Sequence, residues 1–163
     1  GSCWAFSAVG ALEGQHALKR GKLVQFSEQN VIDCSTIFHA GGCRGSFPDM
    51  AFFYVKYNKG IDTEASYPYK GIDDRCHFKN DSIGEVNWGF VDLPTGEDVL
   101  KNAVAEIGPI SVCIQANFGF RAYKGGVFYD PNCGTDYRDL NHAVLLVGYG
   151  TDPEQGDYWL VKN

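Results

Sequence analysis

The chain predicts an α+β fold, with a helical, cysteine-rich front half followed by a strand-rich back half. Two observations carry this reading. Up to Val91 the apolar residues recur mainly at helical three-to-four spacing. Beyond it they gather, apart from one further helix, into short β-rich runs bounded by Gly, Pro and Asn. We place the domain change near Val91, giving units over residues 1–91 and 92–163.

The elements follow in order. Ala5, Ala8, Ala11, Leu12, Glu13, Ala17 and Leu18 are good helix formers, so a first helix is expected from Cys3 to Lys19, ending before Gly21. Ser27 reads as the N-cap of a short helix through Asp33. Phe47 to Asn58 forms a third, whose Met50, Phe53, Tyr54 and Tyr57 make a core stripe. Thr95-Gly96-Glu97-Asp98 opens a fourth, with Val99, Leu100, Ala103, Val104 and Ile107 on one face. After Gly108-Pro109, strands are expected at 110–115, 126–129, 142–149 and 157–162.

Composition narrows the function. With 44% apolar and 14% aromatic residues among 163, the chain has material for a sizeable core. A net charge of −6, with no basic run beyond Lys19-Arg20-Gly21-Lys22, argues against nucleic-acid binding. No apolar stretch approaches membrane-spanning length. There is no initiator Met, apolar leader or propeptide, and the chain stops directly after a strand, so both ends read as cut.

The chemistry concentrates in three places. Gly1-Ser2-Cys3-Trp4-Ala5-Phe6-Ser7 sets a thiol at the first turn of a helix, where unpaired amides and the dipole favour thiolate. His142 heads the apolar, glycine-punctuated run His142-Ala143-Val144-Leu145-Leu146-Val147-Gly148-Tyr149-Gly150. Asn163 closes Asp157-Tyr158-Trp159-Leu160-Val161-Lys162-Asn163, a run able to pair with it as a hairpin. Taken alone, Cys3 also fits a buried structural cysteine beside a core tryptophan.

These stretches resemble the papain-like cysteine peptidases, and more closely the cathepsin L-type endopeptidases. The resemblance runs through Ser27-Glu28-Gln29-Asn30, Asp33-Cys34, Ser66-Tyr67-Pro68-Tyr69, Gly108-Pro109-Ile110-Ser111-Val112 and Gly125-Gly126-Val127-Phe128. It implies a two-lobed fold, a helical lobe and an antiparallel β-barrel-like lobe with the active-site cleft between them, truncated here at both ends. Cys3 is then the nucleophile, His142 the acid and base, and Asn163 the group that orients the imidazole. The oxyanion-site glutamine of the family falls before Gly1.

By the same resemblance Cys34 and Cys76 form a disulfide. The partner of Cys43 falls before Gly1 and that of Cys133 beyond Asn163, while Cys113 matches no family bridge. Gly45, Ser46, Phe47, Pro48, Cys113, Leu140, Asn141 and Ala143 fall at substrate-binding positions, implying a bulky apolar side chain two residues before the cleaved bond. The residue at the floor of that pocket lies past Asn163. Cys113 is read either as a thiol in the pocket wall or as a small core residue. Where the family commonly has Cys-Asn-Gly-Gly this chain has Cys43-Arg44-Gly45-Ser46, and the Ser46 side chain disfavours positive φ.

His16, His39 and His77 read as structural or solvated. A zinc site from Cys34, His39, Cys43 and Cys76 lacks two tight ligand pairs, and no metal or cofactor is expected. Asn80-Asp81-Ser82 is a glycosylation sequon, with Asn80 its acceptor. Peptide or protein substrates and cystatin-type inhibitors are the implied partners of a monomer, with a lysosomal or secreted digestive location. Two alternatives stand beside the endopeptidase: an aminopeptidase of the same family, and a weakly catalytic or non-catalytic binding or storage homologue.

Overall fold

The computed structural model describes residues 1–163. Its first element, α1 (Cys3–Arg20), forms where small, unbranched residues dominate, and Gly21 ends it by donating its N–H to the Ala17 carbonyl. In α2 (Glu28–Cys34) the N-cap Ser27 Oγ accepts the Asn30 N–H at 2.9 Å. Pro48 starts α3 (Pro48–Asn58), where its missing N–H costs nothing. α4 (Glu97–Ile107) carries two carboxylates, Glu97 and Asp98, in its first turn. A one-turn helix not expected from sequence, α5 (Phe118–Arg121), is capped by Asn117, whose Oδ1 accepts the Phe120 N–H at 3.0 Å.

The strands form two separate sheets. β1 (Ile61–Asp62) and β2 (Ile83–Glu85) make a short antiparallel ladder in the front half. β3 (Ile110–Ile114), β4 (His142–Asp152) and β5 (Gly156–Lys162) form an antiparallel sheet in the order β3-β4-β5. β4 and β5 pair as the expected hairpin, with a register shift between Leu146 and Gly148. No helix is long and apolar enough to cross a membrane.

The strand expected at 126–129 is absent. Gly125 and Gly126 take φ of 152° and 80°, which no neighbouring strand can pair with in regular register. The apolar residues there serve a local aromatic cluster instead: the Phe128 ring packs edge-on to Phe120 at 5.7 Å and to Tyr123 at 6.3 Å.

The main core lies between α1, α2 and α3. Trp4, Val9, Phe26, Val31, Ile32, Ala51, Val55 and Ile61 are fully buried in it. The opposite side of α1 is small and faces the sheet. Ser7 Oγ donates to the Val144 carbonyl of β4 at 2.7 Å and lies 2.6 Å from Ser111 Oγ of β3. A Cβ on Gly10 would come within 2.7 Å of Leu145 Cδ2, and one on Gly14 within 2.9 Å of the Pro109 ring. Helix and sheet thus approach more closely than larger residues allow.

Around α2, Asn30 is fully buried. Its Nδ2 donates to Tyr54 Oη at 3.0 Å and its Oδ1 accepts the Asp62 N–H at 3.1 Å. Asn30→Ala strands the Asp62 amide and weakens the tie to Tyr54, so urea denaturation should show a loss of about 3 kcal/mol.

Candidate active site

Cys3 is the first residue of α1, half-buried, and the amides of Cys3 and Trp4 have no acceptor within the helix. No acidic residue occupies that first turn, so nothing offsets the positive end of the dipole beside the thiol. Ser2, the N-cap, caps nothing with its side chain; its Oγ instead lies 2.9 Å from Tyr69 Oη.

His142 is the first residue of β4, held by its register partner Ile114 on β3. Asn163 follows the last residue of β5, and the hairpin brings it back to His142. Asn163 Oδ1 can only accept, so His142 Nε2–H donates to it across 2.8 Å. Nδ1 is therefore the ring nitrogen left for other proton traffic. The Phe120 ring stands edge-on to the imidazole at 6.2 Å.

Cys3, His142 and Asn163 line one cavity of about 580 Å³, together with Ala143. Gly45, Ser46, Phe47, Pro48, Cys113, Leu140 and Asn141 do not line it. Ser46 does not take positive φ; Gly45 does, at 111°, so the serine is accommodated without backbone strain. Phe47 stacks on Tyr137 of the back half at 5.6 Å, and Pro48 is buried. Cys113 pairs with Ala143 across β3 and β4. Burial raises the Cys113 thiol pKa, and the nearby Asp49 and Cys3 raise it further. The Asn141 side chain is occupied: its Oδ1 accepts the Ala116 N–H at 2.7 Å.

Cys34 and Cys76 form a disulfide, which removes two of the four ligands of the zinc reading. Among residues 1–163, Cys3, Cys43, Cys113 and Cys133 form no disulfide with one another. His16 Nδ1 pairs with Glu85 Oε2 at 2.6 Å, while His39 and His77 are exposed. Asn80 is exposed in a single 3₁₀ turn.

Sequence reasoning missed part of the cavity's lining. Glu13 of α1, Glu28 of α2, Glu64 and Lys162 of β5 converge there. Burial raises the Glu28 carboxyl to about 7, with Glu13 and Glu64 adding repulsion and Lys162 opposing it. Glu13 is also raised by burial, against the stabilising Phe26 N–H at 3.0 Å. Glu64 Oε2 is buried without a hydrogen-bond partner. The one local signal was the position of Lys162 beside Asn163.

Residues 1–163 match in full the family model described as papain family cysteine protease. The chain belongs to the papain family. This papain-family chain is 58% identical over 165 residues to a cathepsin L-like protein of Caenorhabditis elegans, covering 100% of the chain and 48% of that protein. It is 49% identical over 167 residues to mouse procathepsin L, covering 100% of the chain and 49% of that protein. The chain spans about half the length of the curated relatives it matches.

Solved structures agree on the papain-like α+β fold. Digestive procathepsin L 3 from the larval midgut of Tenebrio molitor superposes with a TM-score of 0.92 at 46% identity, over 99% of this chain and 52% of that one. Bromelain from Ananas comosus, in complex with the inhibitor E64, gives 0.88 at 39% identity over 100% of this chain and 73% of that one.

The Glu28 carboxyl yields a pH prediction. Its folded value near 7 exceeds the unfolded value, so between the two the folded state holds a proton that the unfolded state has released. That contribution is full at acidic pH and is lost as pH rises through about 7. Glu28→Gln should flatten the decline in melting temperature from pH ~5 to ~7.5 relative to the unmodified protein.

Proposed function

We propose that this chain carries the catalytic centre of a cathepsin L-like cysteine endopeptidase. The observation that supports it most is the convergence of a helix-N-terminal thiol, Cys3, with the His142–Asn163 hydrogen bond on one cavity. Cys3 thiolate attacks the scissile carbonyl carbon, and its own N–H donates to the developing oxyanion. His142 protonates the leaving amine as the C–N bond breaks, which leaves an acyl-thioester on Cys3. His142 then takes a proton from water; the hydroxide attacks the thioester, the C–S bond breaks and the Cys3 thiolate returns. Asn163 fixes the imidazole plane through Nε2.

Phe47, Pro48, Cys113, Leu140 and Ala143 are the proposed wall of the pocket for the second residue before the cleaved bond, taking Leu or Phe. Gly45 and Ser46 would pair with the substrate backbone, and Asn141 lies beside them. The substrates are peptides or proteins, with cystatin-type inhibitors as partners of a monomeric enzyme. The Cys34–Cys76 disulfide fits an oxidising route, and a lysosomal or secreted location agrees with relatives named for digestion. Asn80 would carry the glycan.

Hydrolysis of a fluorogenic peptide with Phe or Leu at the second position tests this. Cys3→Ala should lower the rate by on the order of 10⁴-fold or more. Asn163→Ala should lower kcat by about 10²-fold with little change in KM, because it misorients the imidazole. Full activity in the Cys3→Ala protein, or none in the unmodified folded protein, would contradict the assignment.

A further inference from the structure

Away from the cleft, the β4–β5 hairpin and the first turns of α4 enclose a second cavity of about 280 Å³. It shares no lining residue with the first. Tyr149, Tyr158 and Trp159 give it an aromatic wall. Tyr149 and Trp159 are a cross-strand pair whose rings meet edge-to-face at 6.1 Å. Trp159 Nε1 donates to Glu97 Oε2 at 3.1 Å, which ties the wall to α4.

The rim is acidic. Glu97, Asp98 and Asp157 face a single cation, Lys101. None of these carboxylates is in an ion pair; the salt bridges of the chain join His16 to Glu85, Lys70 to Asp74 and Arg138 to Asp136. Thr151 Oγ1 donates to Asp157 Oδ1 at 2.6 Å, leaving Oδ2 for another donor. Lys101 Nζ lies 5.1 Å from the centroid of the Tyr149 ring, so this wall already holds a cation on its π face. The positive end of α4 opposes a bound cation, but Glu97 and Asp98 in its first turn offset it.

We propose that this cavity is a second binding site, one that takes an arginine side chain from a partner peptide. A guanidinium is planar and weakly hydrated, so it stacks on an aromatic ring while its edge forks to carboxylates. Asp157 and Glu97 supply those carboxylates, and Tyr149 and Tyr158 the ring faces. Lys101 is the like-charged competitor for the Tyr149 face. The surplus of carboxylates turns away anionic ligands. The site goes beyond the proposed peptidase reading and does not depend on it.

The test is fluorescence anisotropy of an end-capped, arginine-rich peptide on protein whose Cys3 has been alkylated, beside the same peptide carrying citrulline, the neutral isostere. The arginine peptide should bind in a salt-dependent way and the citrulline peptide at least about tenfold more weakly. Combining Glu97→Gln with Asp157→Asn should weaken binding about tenfold, while Lys101→Ala, a change at an exposed side chain, should tighten it severalfold. Equal binding of the two peptides, no binding at all, or an affinity indifferent to these substitutions would overturn the site. Indifference would mean that the peptide sits in the catalytic cleft instead.

Discussion

The arrangement rests on the docking of α1 against β4. One face of this helix belongs to the helical core through Trp4, Val9 and Leu12, and the other presents Ser7 and Gly10 to the sheet and Gly14 to Pro109 just before it. Ser7 bonds to the Val144 carbonyl, two residues from His142 along β4, and sits four residues from Cys3 along α1. A single buried hydrogen bond therefore ties the helix carrying the thiol to the strand carrying the imidazole. The missing side chains at Gly10 and Gly14 allow the close approach that bond needs. Because interiors are closely packed, a shift of this contact moves Cys3 relative to His142 rather than being absorbed elsewhere.

The electrostatics of the cleft follow from the same docking. Glu13 of α1 and Glu28 of α2, both half-buried, line the same cavity as Lys162 and Asn163. Burial disfavours the charged carboxylates, and one lysine does not balance them all. The Cys34–Cys76 disulfide closes a loop around the helical core and leaves the thiol at Cys3 free to react.

Much of this was legible in the sequence where the signal is local. The alanine-rich run after Cys3, the Ser27 cap and the paired apolar runs, one beginning at His142 and one ending at Asn163, each specify their element without tertiary help. The strand at 126–129 was misread because Val127 and Phe128 look β-forming, whereas their contacts are with Phe120 and Tyr123 in a glycine-broken loop. The β1–β2 ladder was missed because two- and three-residue strands leave no periodicity. The carboxylate cluster was invisible for another reason. Glu13, Glu28, Glu64 and Lys162 meet only in the folded chain, and no spacing within the sequence encodes that.

The central claim is that the α1–β4 contact sets the alignment of Cys3 with His142. It is tested most directly by a Gly10→Leu protein, in which the new side chain competes with Leu145 of β4 for the space between helix and strand. The measurement is the rate of Cys3 alkylation as a function of pH, followed by mass spectrometry of the Cys3 peptide, with circular dichroism on the same samples. The account predicts that the helical signal persists while Cys3 alkylation slows, the proposed imidazole partner having moved away. An unchanged rate profile in a folded Gly10→Leu protein would contradict it.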